Sequence, residues 1–265
     1  MQGIRRTVTG ADGVGIGLLT AGSGPQVLLV HGGMGTIDSW RLVWETLAGR
    51  FRITAMDRRG RGTSGDAGAY ALDQEYADVA AVAALLADEQ GGPVDVVGHS
   101  YGATCALGAA ARGAPVRRLV LYEPPGPQTV GDEWPDRMSA MVADGQLGRA
   151  VFSFLIEIIG LTRADVEALR DAPGGRDVLP IAAATLPREA RALAAADLTA
   201  EASGVRQPVQ LLLGAASPRW AAEITRQLAA ALPSATVTEL AGVGHLALDT
   251  APAAVTAAVI PFLCS

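Results

Sequence analysis

Six short apolar runs punctuate the chain, each closed by glycine, proline or a polar residue. They are QVLLVHGG (26–33), FRITAMD (51–57), VDVVGHS (94–100), RRLVLYEPP (117–125), VQLLLGAAS (209–217) and a weaker TVTEL (236–240). Their apolar character is nearly continuous instead of alternating, as expected of strands buried on both faces. Between them lie stretches with helical character: SWRLVWETLAG, YADVAAVAALLADEQ, TCALGAAAR, RWAAEITRQLAAAL and TAPAAVTAAVIPFL. Strands alternating with helices predict an α/β fold, with a mostly parallel central sheet and helices on both faces. Two earlier segments, RRTVTGA and GVGIGLLTA, alternate better and predict an antiparallel hairpin at the sheet edge.

The alternation breaks once. From about Gly126 to Ala200 no strand pattern occurs, only helix-like runs such as VFSFLIEIIG, RADVEALRDA and PREARALAAADLTAEA. This predicts a core domain formed by 1–125 and 201–265, with a helical cap or lid inserted at 126–200. Ligands of such sheets bind beyond the carboxyl ends of the strands, so the residues following each strand carry the chemistry.

Composition narrows the function classes. The 265 residues carry 21 basic and 27 acidic side chains, a net charge of -6 that disfavours nucleic acid. All 21 basic residues are arginine, which excludes Schiff-base, P-loop and Ser–Lys chemistry. Cys105 and Cys264 have no metal-ligand spacing, and no metal or cofactor is expected. The N-terminus lacks an apolar signal core, and the longest apolar runs are too short to span a membrane. The expectation is a cytoplasmic protein acting on a small molecule, with no membrane or nucleic-acid partner. No feature sets an oligomeric state. GVGIG lacks dinucleotide-fingerprint spacing and is not followed by a helix, while DRRGRG in an acidic chain makes a poor phosphate site.

Gly98-His99-Ser100-Tyr101-Gly102 is a G-x-S-x-G pattern after a strand and before a helix, the context of a nucleophile elbow. The helix behind it would offer amide donors to an oxyanion. A serine nucleophile needs a base, and only three histidines are present. His31 ends the first buried strand. His99 precedes the serine on extended chain, where neighbours point opposite ways. His245, in LAGVGHLALDTAP between the last strand and the last helix, is left as the base.

HGG, DRRGRGTS, GHSYG and GVGH together make the chain resemble the α/β-hydrolase fold superfamily, over essentially its whole length. The resemblance implies a serine hydrolase with a Ser-His-acid triad. It implies oxyanion donors from the backbone amides of Gly33 and Tyr101, and a structural role for Asp57. Most such relatives carry the acid in a G-x-x-D turn after the penultimate strand, where this chain reads Gly214-Ala215-Ala216-Ser217. Asp249 stands four residues after His245, at a helix opening, and reads better as a capping charge. Glu123 follows the strand after the elbow, where some branches of the fold carry their acid, and is the expected triad acid. Asp249 and Asp57 stay open as alternatives.

Met34, Trp134, Met138, Phe152 and Glu157 are candidates to touch substrate; Met141 and Phe154 add bulk to the insertion. The substrate expected under an apolar lid is an ester, lactone or thioester of a small to medium apolar molecule. Epoxide hydrolase and dehalogenase relatives need an aspartate where Ser100 stands. A cyclase, lyase or cofactor-free oxygenase, or a receptor-like ligand-binding protein, would use the same fold.

Overall fold

A computed structural model describes residues 1–10, 12–67, 70–171 and 183–265. Eight strands among them form one sheet: β1 (Ile4–Thr9), β2 (Gly15–Ala21), β3 (Gln26–Val30), β4 (Arg52–Met56), β5 (Val94–His99), β6 (Val116–Tyr122), β7 (Val209–Gly214) and β8 (Ala235–Leu240). Their spatial order is β1-β2-β4-β3-β5-β6-β7-β8. The β1–β2 hairpin is antiparallel, β2 runs antiparallel to β4, and β3 to β8 are all parallel. The α/β fold, its mostly parallel sheet and its edge hairpin are thus those expected from the pattern. Every residue of β3 and β5 is buried, matching their unbroken apolar character, whereas β1 alternates and stays half-exposed.

Helices cover both faces. One face packs on α2 (Leu72–Gln90), α3 (Tyr101–Ala111) and α10 (Arg219–Ala231). The other packs on α1 (Trp44–Ala48) and α12 (Pro252–Cys264), with Trp40 and Trp44 buried between them and the sheet. SWRLVWETLAG is not one helix. It splits into a 3₁₀ turn, Ile37–Trp40, and the short α1. The chain leaves β3 for β4 on one side and returns to β5 on the other, so the strand order reverses at the carboxyl ends of β3 and β5. That crevice is where open α/β sheets hold their ligands.

Between β6 and β7 the described residues contain helices and no strand. They are α4 (Pro127–Val130), α5 (Trp134–Ala143), α6 (Leu147–Ser153), α7 (Arg163–Asp171), α8 (Leu186–Ala194) and α9 (Leu198–Gly204). The middle of the expected insertion, 172–182, lies outside the described residues. The run PREARALAAADLTAEA breaks into α8 and α9 because Asp197 turns its carboxylate back to the Ala200 amide, at 3.0 Å, and starts a new helix. After α6 the chain widens into a π-helical turn, Phe154–Ile158, closed by the Ile159 amide on the Phe154 carbonyl. α12 keeps a proline, Pro261, inside it. No helix among the described residues is long and apolar enough to cross a membrane.

Candidate active site

Ser100 stands between β5 and α3 with φ 52° and ψ −126°, a conformation rare for a residue with a side chain. Its glycine shoulders explain how the turn fits. A Cβ on Gly98 would sit 2.5 Å from the Ala103 Cα, and one on Gly102 2.3 Å from the Val30 carbonyl oxygen. Bare backbone at both positions lets the start of α3 press against β3 and hold Ser100 up at the crevice. The Ser100 amide donates to the Tyr122 carbonyl at 2.8 Å, tying the elbow to the end of β6.

Positive φ among non-glycine residues occurs at three described positions: Met34, Ser100 and Glu123. All three follow strands at the same end of the sheet, where local strain tends to collect at functional sites.

Glu123 is fully buried just beyond β6. Its Oε2 lies 2.5 Å from His245 Nδ1, while its Oε1 accepts from the Gly214 amide at 2.7 Å and the Ser217 hydroxyl at 2.5 Å. A carboxylate accepts, so the imidazole carries its proton on Nδ1 and leaves Nε2 free to act as a base. Ser217 occupies the turn position where the acid was missing in the sequence, and its hydroxyl holds the acid arriving from the neighbouring strand.

The loop carrying His245 is fixed at several points. His99 Nε2–H donates to the His245 carbonyl at 2.9 Å, and the Tyr122 hydroxyl donates to the Gly244 carbonyl. The edge of the Trp220 indole packs on the His245 ring, with centroids 5.2 Å apart. Burial, together with the His245 imidazole beside it, lowers His99 to about 3, so it stays neutral. His99 therefore does not simply point away from the crevice. It lines a cavity of about 200 Å³ together with Gly33, Met34, Ser100, Phe154 and His245.

His31 is likewise buried and neutral: burial and then the Arg58 charge push it well below its ordinary value. Its Nδ1–H donates to the Gly32 carbonyl at 2.8 Å, and its Nε2 accepts the Arg58 amide at 3.0 Å. These bonds shape the Gly32-Gly33 loop, where a Cβ on Gly32 would come 2.9 Å from the Ser100 Cβ. Gly33 lies in the wall beside Ser100 and Tyr101, and the amide of Tyr101 opens α3, where helix amides lack internal partners.

Asp57 accepts the Ile37 amide, the Thr63 amide and the Thr63 hydroxyl, at 2.7, 2.8 and 2.9 Å, and so organises its own turn. Asp249 lies inside the short helix α11 (Ala247–Thr250) and pairs with Arg41 in a half-exposed position. Neither carboxylate is bonded to His245.

A second, inner cavity, of about 30 Å³, adjoins Ser100 beneath the helices between β6 and β7. It is walled by apolar side chains from those helices, with Trp134, Phe154, Ile158 and Leu193 among them, and by Trp220. Trp134 thus lines the inner cavity, and Met34 the outer one. Three other expectations are corrected. Met138 is wholly buried in the core of α5. Phe152 packs under Arg163, with the guanidinium 5.1 Å from its ring centre. Glu157 points outward from the π-helical turn to Ser153 and Arg137, because a lone carboxylate on an apolar helix takes the solvent side.

One charged residue of the inner cavity had no signal in the sequence. Glu189, on α8, is buried and shares its Oε1 with Arg58 at 2.7 Å and Arg61 at 3.0 Å. Arg58 also binds Glu75 and lies 4.3 Å over the Tyr101 ring. Arg59, from the same DRRGRG run, is buried against Asp78 and Asp12. The basic run is therefore internal, each of its arginines meeting a carboxylate. Only the fold brings Glu189 to Arg58 and Arg61, more than a hundred positions away.

Comparison with known proteins gives this geometry a family. The sequence model of the alpha/beta hydrolase family matches residues 27–259. The pimeloyl-[acyl-carrier protein] methyl ester esterase of Chromobacterium violaceum is 31% identical over 243 residues, 85% of this chain and 89% of that protein. The N-formylmaleamate deformylase of Pseudomonas putida is 40% identical over 107 residues; the match spans 39% of each chain. Among solved structures, an alpha/beta hydrolase from Sphaerobacter thermophilus superposes with a TM-score of 0.84 at 34% identity, covering 97% of this chain and 99% of that one. An enol-lactonase from Burkholderia xenovorans, at 21% identity, shares the fold, with a TM-score of 0.80 and coverage of 98% and 100%. The chain belongs to the alpha/beta hydrolase family.

Proposed function

We propose that the chain is a serine hydrolase that cleaves an ester, lactone or thioester of a small to medium apolar molecule through an acyl-enzyme. The observation that carries this reading is the pairing of His245 Nδ1 with buried Glu123, beside a serine held on a strained elbow. Ser100 Oγ attacks the acyl carbon while His245 Nε2 takes its proton. The carbonyl oxygen, now anionic, is received by the amides of Gly33 and Tyr101. Glu123 keeps the imidazole in its working tautomer and stabilises it once charged. His245 returns the proton to the departing alkoxide or thiolate. Water, deprotonated in turn by His245, then releases the acid from Ser100.

The helices between β6 and β7 act as a cap, and their apolar walls favour an uncharged acyl chain. Relatives named for methyl ester, enol-lactone and formyl cleavage support action at a carbonyl carbon. Free thiols at Cys105 and Cys264 suit a cytoplasmic protein.

The test is intact-mass detection of labelling by a fluorophosphonate, comparing wild type with Ser100→Ala, followed by a panel of esters, thioesters and lactones. Rapid labelling that the variant loses, with multiple turnover on the panel, is the expected result. A folded protein that resists the probe and turns over no acyl compound would overturn the reading in favour of a binding protein or a non-hydrolytic enzyme.

A further inference from the structure

The inner cavity is mostly apolar; beside Ser100, Tyr101 and Thr129, its wall holds a single charged side chain among the described residues. Glu189 contributes a carboxylate to its wall, and the two oxygens of that carboxylate are unequally served. Oε1 takes the hydrogen bonds of Arg58, Arg61 and Thr185, at 2.7, 3.0 and 3.4 Å. Oε2 is buried and has no hydrogen-bond partner among the described residues. The side chain is only 4% exposed, so bulk water does not serve that oxygen.

A buried acceptor without a donor costs about 1–3 kcal/mol, more where the group is charged. The charge persists here. Burial alone would raise the Glu189 carboxyl, but Arg61 and Arg58 hold it at about 2. Oε2 therefore stays an anionic acceptor at neutral pH, set in the cavity wall with almost none of its own surface open. Its place is informative as well. A Cβ built on Gly33 would stand 3.6 Å from Oε2, in ordinary contact, so the acceptor lies close to the glycine assigned to the oxyanion.

We propose that Glu189 Oε2 is a specificity determinant that accepts a hydrogen bond from a hydroxyl or N–H on the substrate's acyl portion, near the carbonyl. The preferred substrate class is thus a hydroxy- or acylamino-substituted acyl compound with an otherwise apolar chain. A plain alkyl chain leaves Oε2 unanswered, and a second carboxylate at that point faces like charge. Sites built around a substrate donor discriminate strongly against analogues that lack it. This inference rests on the serine-hydrolase reading.

Matched p-nitrophenyl esters test it: 3-hydroxybutanoate against 3-methylbutanoate, and 2-hydroxypropanoate against 2-methylpropanoate. Each pair exchanges a hydroxyl for a methyl of similar size. The readout is the rate of Ser100 acylation, from nitrophenol release and intact mass. The expected result is a preference of about 10- to 100-fold for the hydroxy ester in at least one pair. Glu189→Gln, with folding checked by circular dichroism, narrows that ratio several-fold because a neutral acceptor binds the donor less strongly. Wild-type acylation that is equal or faster with the methyl esters of both pairs overturns the subsite and leaves the hydrolase reading intact. Failure of all four esters together with failure of fluorophosphonate labelling would instead reject the hydrolase reading. The wild-type ratios, each divided by the same pair's ratio of uncatalysed hydroxide hydrolysis, decide the question even where the variant does not fold.

Discussion

Glu123 keeps its place through three donors from two parts of the chain: Gly214 and Ser217 in the turn after β7, and His245 after β8. Glu123→Gln preserves size and removes the charge that orders the imidazole. We expect turnover to fall by about 10³–10⁴ with the fold intact, whereas Asp249→Asn stays within about twofold because its partner is Arg41. Steady-state kinetics of the two variants decides between them, and the reverse ranking would reassign the acid. The hydroxyl of Ser217 marks a second seat for a carboxylate. Adding Ser217→Asp to Glu123→Gln should recover at least about tenfold of the lost turnover, and no recovery would show that this seat does not reach His245. At this scale Ser100 and His245 were legible from the elbow pattern and from a count of histidines. Glu123 was legible mainly because the usual position held no acid. Ser217 was readable only as an anomaly, since its bond to a residue 94 positions away exists only once β6 and β7 are paired.

The strand–elbow–helix unit depends on two absent side chains. Gly102→Ala would drive a Cβ into the backbone of Val30 and His31, at 2.3 and 2.4 Å. Both neighbours are strand-end carbonyls that cannot yield, so about 3 kcal/mol or more of stability should be lost. Gly92→Ala, where a Cβ meets nothing within 4 Å, should stay within about 0.5 kcal/mol. Urea unfolding of the two variants checks the contrast, and equal stabilities would refute it. Strands announced themselves because burial on both faces leaves an unbroken apolar run. Helix ends were harder, since Asp197 restarts a helix that periodicity alone would continue. The cavity walls were hardest. Met138 and Trp134 lie on one helix and look equally apt, yet one turns into the core and the other to the cavity. That choice depends on the angle at which α5 meets its neighbours. Trp220 and Leu193 sit in ordinary amphipathic helices and carry no local mark of their position.

The molecule as a whole encloses several charges and rings that titrate abnormally, and these set its acid tolerance. His99 and His31 are neutral in the folded state at pH values where the unfolded chain protonates them. Below about pH 6.5 the unfolded state binds more protons, so stability falls with pH by up to about 1.4 kcal/mol per pH unit for each histidine, down to about pH 3 for His99. His99→Gln retains a donor for the His245 carbonyl and should flatten that slope by about one histidine's share. An unchanged slope in urea unfolding from pH 7 to 4 would refute the assignment. Glu189 adds a further drop at lower pH. Its depressed carboxyl contributes stability above pH 4.5, which is lost as pH falls from there to about 2. None of this was legible in the sequence, where DRRGRG reads as a basic patch and burial is invisible. The same cluster has a mechanical meaning. Arg58, Arg61 and Glu189 clasp α8 to the loop after β4 with charges kept out of water. Parting both contacts at once would leave the Glu189 carboxylate uncompensated in the interior, at a cost of several kcal/mol. A lift that takes α8 off both arginines before water reaches the carboxylate is therefore the costliest arrangement, so this wall of the inner cavity should part from the β4 loop in one step, as a snap fastener does.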